Sequence, residues 1–271
     1  MRTQADHASK AHHVLKAIVR GISATFRDAV VMHPTAEAID VEHARLQHAA
    51  YVHALQSAGL VVEIMPPLDA HPDACFVEDC ALVAGAHALV TRPGALSRRG
   101  ETESVAERIV DLLDDAGRVE STYAPATIDG GDCLRVGKTW FVGRSARTND
   151  EGVRRVREFF GALGFAVVEV PVEGFLHLKC VVSRIDDGAV LLAEGTVDPA
   201  HFGNLEVVTV PRDEAYAANA VVVQGTAIIA KGFPRVRAAL EQRGLRIIEL
   251  ALSEIAKADG SLTCLSIVLD E

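Results

Sequence analysis

The chain has 271 residues, 49% of them apolar, and a formal charge of −10, enough material for a folded core in one large domain or two small ones. The acidic balance, with no large cluster of Lys and Arg, argues against a nucleic-acid partner and mildly favours encounter with cations. No apolar run reaches the ~18 to 20 residues of a membrane span, and the opening M-R-T-Q-A-D-H-A-S-K-A-H-H lacks the apolar stretch of a signal peptide, so no membrane is expected and the expected compartment is the cytoplasm.

In chain order, the residues up to about position 20 read as a helix or a frayed end. A helical pattern over 39–58 runs to Gly59 and is followed by the extended V-V-E-I-M from Val61. Next come a hairpin-like pattern, C-F-V-E-D-C-A-L-V-A-G-A-H-A-L-V from Cys75, a helix over 101–116 ending at Gly117, and V-E-S-T-Y from Val119. The pattern returns as T-I-D-G-G-D-C-L-R-V-G-K-T-W-F-V-G-R from Thr127, a helix over 149–163, and F-A-V-V-E-V from Phe165. A third copy starts at His177, H-L-K-C-V-V-S-R-I-D-D-G-A-V-L-L-A, and a fourth at Asn219, N-A-V-V-V-Q-G-T-A-I-I-A, with a helix over 234–243 and L-R-I-I-E-L. A truncated copy, L-T-C-L-S-I-V-L, starts at Leu262. The unit is strand, strand, helix, strand, and its period of roughly 40 to 53 residues falls in the window for propellers and arrays. No linker interrupts it, so residues 1–271 are expected to form a single domain. Five such units around an axis would bring Glu78, Asp79, Asp129, Asp132, His177 and Cys264 towards one centre.

Five cysteines, Cys75, Cys80, Cys133, Cys180 and Cys264, are an odd number without C-x-x-C spacing, and most sit in apolar runs, so no disulfide framework is expected. Cys264 stands at the start of an apolar run after a turn-like A-D-G-S, where packing alone would explain a cysteine. A thiolate nucleophile needs a proton-handling partner and a cationic setting. Of the eleven histidines, His43, His48 and His53 read as solvated on a helix surface, whereas His177 starts a strand at a hairpin mouth, at the position that Asp79, Asp132 and Thr263 take in other copies.

The D-G-G-D from Asp129 has a plain reading as a turn, because Asp and Gly suit positive backbone dihedrals. Carboxylates gathered at a buried mouth are nevertheless costly unless a cation neutralises them. No metal-ligand spacing accompanies them, so no metal and no cofactor is expected. A guanidinium, which matches carboxylates in fork geometry, fits better. Arg98 and Arg147, in loops after the first two hairpins, could clamp a substrate carboxylate. The expected partner is therefore a small cationic amino acid; oligomeric state is not legible.

Six ordered motifs now add a resemblance: F-V-E-D from Phe76, T-R-P-G-A-L-S-R-R from Thr91, D-G-G-D from Asp129, F-V-G-R-S-A-R-T-N from Phe141, H-L-K from His177 and L-T-C-L-S from Leu262. Together, over residues 26–269, they resemble dimethylarginine dimethylaminohydrolase, of the guanidine-modifying superfamily. The resemblance implies an α/β fold, a five-bladed α/β-propeller of ββαβ modules around a central pocket. It also implies conversion of dimethylarginine or monomethylarginine to citrulline and the methylamine through a thiouronium on the cysteine. It implies Cys264 as nucleophile, His177 as general acid and base, and Asp129 as the carboxylate orienting the histidine. Glu78 and Asp79 would contact the guanidinium, Asp73 the amino-acid part, and Arg98 and Arg147 the α-carboxylate, while Val31, Ala258 and Asp259 would line the pocket. Arginine deiminase and amidinotransferase of the same superfamily share this chemistry but tend to be longer, and agmatine deiminase has a substrate without the carboxylate. A non-catalytic propeller, the remaining reading, would lack the Cys/His pair.

Overall fold

The computed structural model describes residues 15–32, 37–113 and 117–269. Its first element is a strand, β1 (Lys16–Arg20), followed by α1 (Val41–Ser57) and β2 (Val61–Met65). The first complete blade holds β3 (Ala81–Ala84), β4 (His87–Val90), α2 (Thr102–Leu112) and β5 (Val119–Ser121). The second holds β6 (Cys133–Val136), β7 (Thr139–Arg144), α3 (Asp150–Gly161) and β8 (Ala166–Pro171). In the third, β9 (Val182–Asp186), β10 (Ala189–Ala193) and β11 (Glu206–Val210) are joined by a single 3-10 turn, Pro199–Phe202. The fourth holds β12 (Val221–Val223), β13 (Thr226–Ala230), α4 (Pro234–Glu241) and β14 (Arg246–Leu250). The short α5 (Ser253–Lys257) and β15 (Ser266–Leu269) complete the described chain.

These strands form five three-stranded sheets with one connection rule. In each of the four complete blades, a hairpin pairs the first two strands antiparallel, and a crossover returns the third strand parallel to the second. The fifth sheet is assembled from both ends of the chain. There β15 pairs antiparallel with β1, Ile18 opposite Ile267, and β1 pairs parallel with β2. The expected five-bladed α/β-propeller is thus the observed architecture, with two local departures. The segment read as a helix or frayed end is β1 from Lys16 onward, because K-A-I-V-R meets partners far away in sequence; positions 1–14 lie outside the described residues. The third crossover contains a 3-10 turn in place of an α-helix, started by Asp198, whose carboxylate accepts from Ala200 N at 2.9 Å.

The helix ends obey local capping chemistry. Asp40 accepts from His43 N at 3.0 Å to start α1, and Gly59, at φ +95°, lets the chain turn away after it. Asn149 starts α3 by accepting from Gly152 N at 2.8 Å, and the same side chain binds Thr127 N and Pro125 O, which ties that helix to the segment leading into D-G-G-D. The predicted helix over 101–116 is observed as far as Leu112; 114–116 lie outside the described residues. His48 corrects the reading of a solvated histidine: it is buried in the core face of α1, and burial pulls its pKa down to about 4. All five cysteines are free, and no described helix is long and apolar enough to cross a membrane.

Candidate active site

Each blade's first strand is entered through a 3-10 turn, and those turns carry the polar residues. They are Val77–Cys80, Gly130–Asp132, Leu178–Cys180, Arg212–Ala218 and Thr263–Leu265. His177 stands immediately before its turn, as Asp129 does before the turn of D-G-G-D. It is therefore equivalent to Asp129, and not to Asp79 and Asp132 as the repeat alignment suggested. Their position, one before a cysteine, belongs in the third copy to Lys179, a residue that the sequence reading missed. The dipeptides Asp79-Cys80, Asp132-Cys133 and Lys179-Cys180 carried that signal.

The equivalence of Asp129 and His177 brings the two side chains together: His177 Nε2 lies 2.9 Å from Asp129 Oδ2, and both residues are buried. The glycines between the two Asp residues make this approach feasible. Neither has positive φ. A Cβ on Gly130 would sit 1.9 Å from Glu78 O, and one on Gly131 would sit 2.6 Å from His177 Nδ1. Close approach of neighbouring blades therefore demands them, so the motif is a turn as expected but not for the positive dihedrals given as the reason. Asp129 also accepts from Gly94 N at 2.8 Å, while Asp132 is held by Ser145 Oγ (2.6 Å), Thr148 Oγ1 (2.7 Å) and Leu178 N (3.0 Å).

A cavity of about 20 Å³, room for about one water, lies at this centre. Cys264, His177, Asp73, Asp79, Arg98 and Arg147 line it, together with Ala258 and Asp259. Asp129 stands behind the histidine. Two expected residues are placed differently. Val31 does not line the cavity; its neighbour Val30 does, with its backbone N–H donating to Asp73 at 3.1 Å. Glu78 turns to a second cavity of about 180 Å³ enclosed by the first strands of the blades, where it pairs with Lys179 Nζ at 2.6 Å and accepts from Thr263 Oγ1 at 2.8 Å. Asp259 adopts φ +54°, a left-handed conformation rare for a residue with a side chain, and its carboxylate accepts from Met32 N.

The two arginines are not alike. Arg98 is buried, with Nη1 on Asp79 Oδ2 at 2.5 Å, Nε on both oxygens of Glu101 and Nη2 on Glu101 and the carbonyl of Phe76. At most one Nη1 hydrogen is left for a ligand. Among the described residues, the guanidinium of Arg147 makes the looser approach to Asp129, 3.7 Å. Its guanidinium is the freer one.

Burial is the largest influence on His177, Asp79 and Cys264, and what opposes it decides each outcome. At His177, burial favours the neutral ring, but the charge of Asp79 and the hydrogen bond that the ring donates to Asp129 outweigh it and raise the pKa to about 9. At Asp79, burial is outweighed by His177 and Arg98, and the carboxyl falls to about 2. Nothing opposes burial strongly at Cys264: burial, Glu78 and Asp79 all push its thiol well above the ordinary range. The residue is only partly covered and lines the cavity. In the pair of Lys179 with Glu78, both groups shift upwards, the ammonium through the carboxylate's charge and the carboxyl through burial. At 2.6 Å, with Thr263 also donating, we read this pair as ionised. Asp79, Asp129 and His177 each offer a ligand atom within 4.8 Å of one another, so an ion could compete there with the imidazole proton.

The family model described as N,N dimethylarginine dimethylhydrolase, eukaryotic, matches residues 24–269. The chain belongs to the dimethylarginine dimethylaminohydrolase family. It is 37% identical over 228 residues to N(G),N(G)-dimethylarginine dimethylaminohydrolase of Pseudomonas aeruginosa, covering 84% of this chain and 89% of that protein. It is also 37% identical over 257 residues to the like-named protein of Streptomyces coelicolor, covering 94% and 97%. A solved structure of the Pseudomonas aeruginosa dimethylarginine dimethylaminohydrolase, a variant complexed with citrulline, superimposes with a TM-score of 0.90 at 34% identity, covering 94% of this chain and all of that one, 100%.

Proposed function

We propose that the protein hydrolyses dimethylarginine, and monomethylarginine, to citrulline and dimethylamine or methylamine, with Cys264 as nucleophile. The observation that carries this reading is the shared cavity of Cys264 and His177, with Asp79 beside them and Asp129 behind the imidazole. The relative bound to citrulline supports the substrate class, a small arginine derivative.

In the resting protein the thiol holds its proton and the imidazole carries a charge. A guanidinium docked against Asp79 offsets the negative field that keeps sulfur protonated, so the substrate's own charge favours the thiolate. The thiolate attacks the guanidinium carbon, and His177 gives its proton to the departing amine. Because Nε2 is committed to Asp129, Nδ1 is the nitrogen left for this transfer. The neutral imidazole then takes a proton from water, which attacks the S-alkyl thiouronium carbon; as the C–S bond breaks, the new hydroxyl gives its proton to the departing sulfur, which restores the thiol and leaves the ureido group of citrulline, while the proton the thiol released to solvent is taken up by the free amine. Arg147 holds the α-carboxylate, while Arg98 fixes Asp79 and adds at most one hydrogen bond. Asp73, Asp259 and the backbone of Ala258 surround the amino-acid end. Glu78 acts on the substrate through charge and not by contact.

The five sheets act in this reading as one catalytic domain, and the five free thiols suit a reducing cytoplasm. The test is citrulline formation from dimethylarginine by the purified protein with chelator present. Cys264→Ser is expected to abolish turnover by roughly 10⁴-fold or more; full turnover in that variant, or none in the parent protein, would overturn the proposal.

A further inference from the structure

We infer that Asn219 is a positioning residue for the nucleophile, its amide holding Thr263 and the backbone that enters Cys264 through a hydrogen-bonded ring closed by Glu78 and Lys179. Asn219 is buried at the entrance to β12, in the one blade that places no residue in the proposed catalytic set. Its Oδ1 accepts from Thr263 N at 3.0 Å, and its Nδ2 donates to Lys179 O at 2.8 Å and to Thr263 Oγ1 at 3.0 Å. Thr263 Oγ1 gives its own proton to Glu78 Oε2 at 2.8 Å, and Glu78 Oε1 receives Lys179 Nζ at 2.6 Å. The ring therefore joins four blades.

An amide suits this position because it supplies one acceptor and two donors from a single end. A carboxylate would lose both donations and add a second negative charge beside Glu78. An aliphatic side chain would strand Thr263 N and Lys179 O, both partly buried, without partners. Thr263 is gripped at its backbone nitrogen and at its hydroxyl, so the residue after it, Cys264, enters the cavity at a fixed angle. The ring has an electrostatic effect as well. The groups acting on the thiol are Glu78 and Asp79 from the first blade and Cys180 from the third, and Lys179 balances Glu78. Loosening the ring would both displace the sulfur and change the field around it.

The inference rests on the reading of Cys264 as nucleophile, and the experiment separates the two. Asn219→Ala, Thr263→Val and Thr263→Ser are compared with the parent protein and with Cys264→Ser. The measurements are kcat and KM for dimethylarginine, the pH dependence of Cys264 alkylation by iodoacetamide read by peptide mass, and the melting temperature. The expected result is a kcat about 10- to 100-fold lower in folded Asn219→Ala, with KM little changed and alkylation slower. Thr263→Val should show a smaller loss, and Thr263→Ser, which keeps the hydroxyl, should recover most of it. A folded Asn219→Ala with kcat and alkylation profile within about twofold of the parent overturns the inference, because a merely structural role would lower the melting temperature alone. Should that variant not fold, the Val and Ser pair decides, and equal activity in the two overturns it. Turnover retained by Cys264→Ser would sink the functional reading itself; an inactive Cys264→Ser beside unimpaired Asn219 and Thr263 variants would sink only the positioning role.

Discussion

The ring of blades divides into a charged half and a neutral half. The first three blades bring Glu78, Asp79, Asp129, Asp132, His177 and Lys179 to the centre, whereas the last two bring Asn219, Thr263 and Cys264, with the carboxyl of Asp259 as the exception at the cavity's edge. Within the charged half, neighbouring carboxylates are separated in role by their partners. Asp79 and Asp129 face cationic groups, Arg98 and His177, while Asp132 is occupied by two hydroxyls and a backbone N–H. In the proposed reaction the charged half would store protons and fix the field, and the neutral half would supply a nucleophile that carries no charge until a cation arrives. Substitutions in the charged half should move the pH dependence of turnover and stability; those in the neutral half should move turnover and the alkylation of Cys264.

The largest effect that would break this division is expected at Asp129. Asp129→Asn should lower kcat by about 10²- to 10⁴-fold, and the alkaline limb of the rate profile should shift to lower pH, since the imidazolium loses its hydrogen-bonded carboxylate; an unshifted limb would deny the pairing its role. Next come the arginines. Arg98→Met leaves Asp79 and Glu101 buried without their cation, so a stability loss of about 3–5 kcal/mol is expected in urea denaturation. Arg147→Met should leave stability nearly unchanged and raise KM by about 10- to 100-fold, the worth of a charged hydrogen bond. If the two exchanged these behaviours, the freer arginine would have been misassigned.

The smallest effect concerns stability against pH. His177 has a folded pKa of about 9 above an unfolded value of 6.5, so its contribution is complete below pH 6.5 and is lost as pH rises through 9. His48, at about 4, contributes fully above 6.5 and loses that contribution as pH falls through 4. Each is worth on the order of 3 kcal/mol. Denaturation midpoints should therefore decline on both sides of neutrality, and Asp129→Asn should flatten the alkaline side only.

The sequence disclosed what is local or periodic. Gly59 and Gly164 marked helix ends, hairpins repeated with their turns, and the polar mouths identified Asp79, Asp129 and Cys264 as neighbours across the ring. It could not disclose pairings made over long separations. β1 seemed helical or frayed because its partners lie at Val61 and beyond Ser266. Asn219 looked like a strand start because its ring closes through residues 40 and 44 positions away. His48 looked solvated because only packing of α1 on the core determines which face is covered. D-G-G-D was legible as a motif and illegible in cause, since the carbonyl of Glu78 that forbids a side chain on Gly130 belongs to another blade.

The sheet made from both chain ends has a consequence for biosynthesis. Cys264 sits two residues before β15, the strand that seals the ring against β1. A nascent polypeptide halted just before that strand already carries Cys264 but lacks the strand that closes the ring. In the proposed reaction, chemical competence would therefore wait for architectural completion, and products truncated before β15 are expected to be silent.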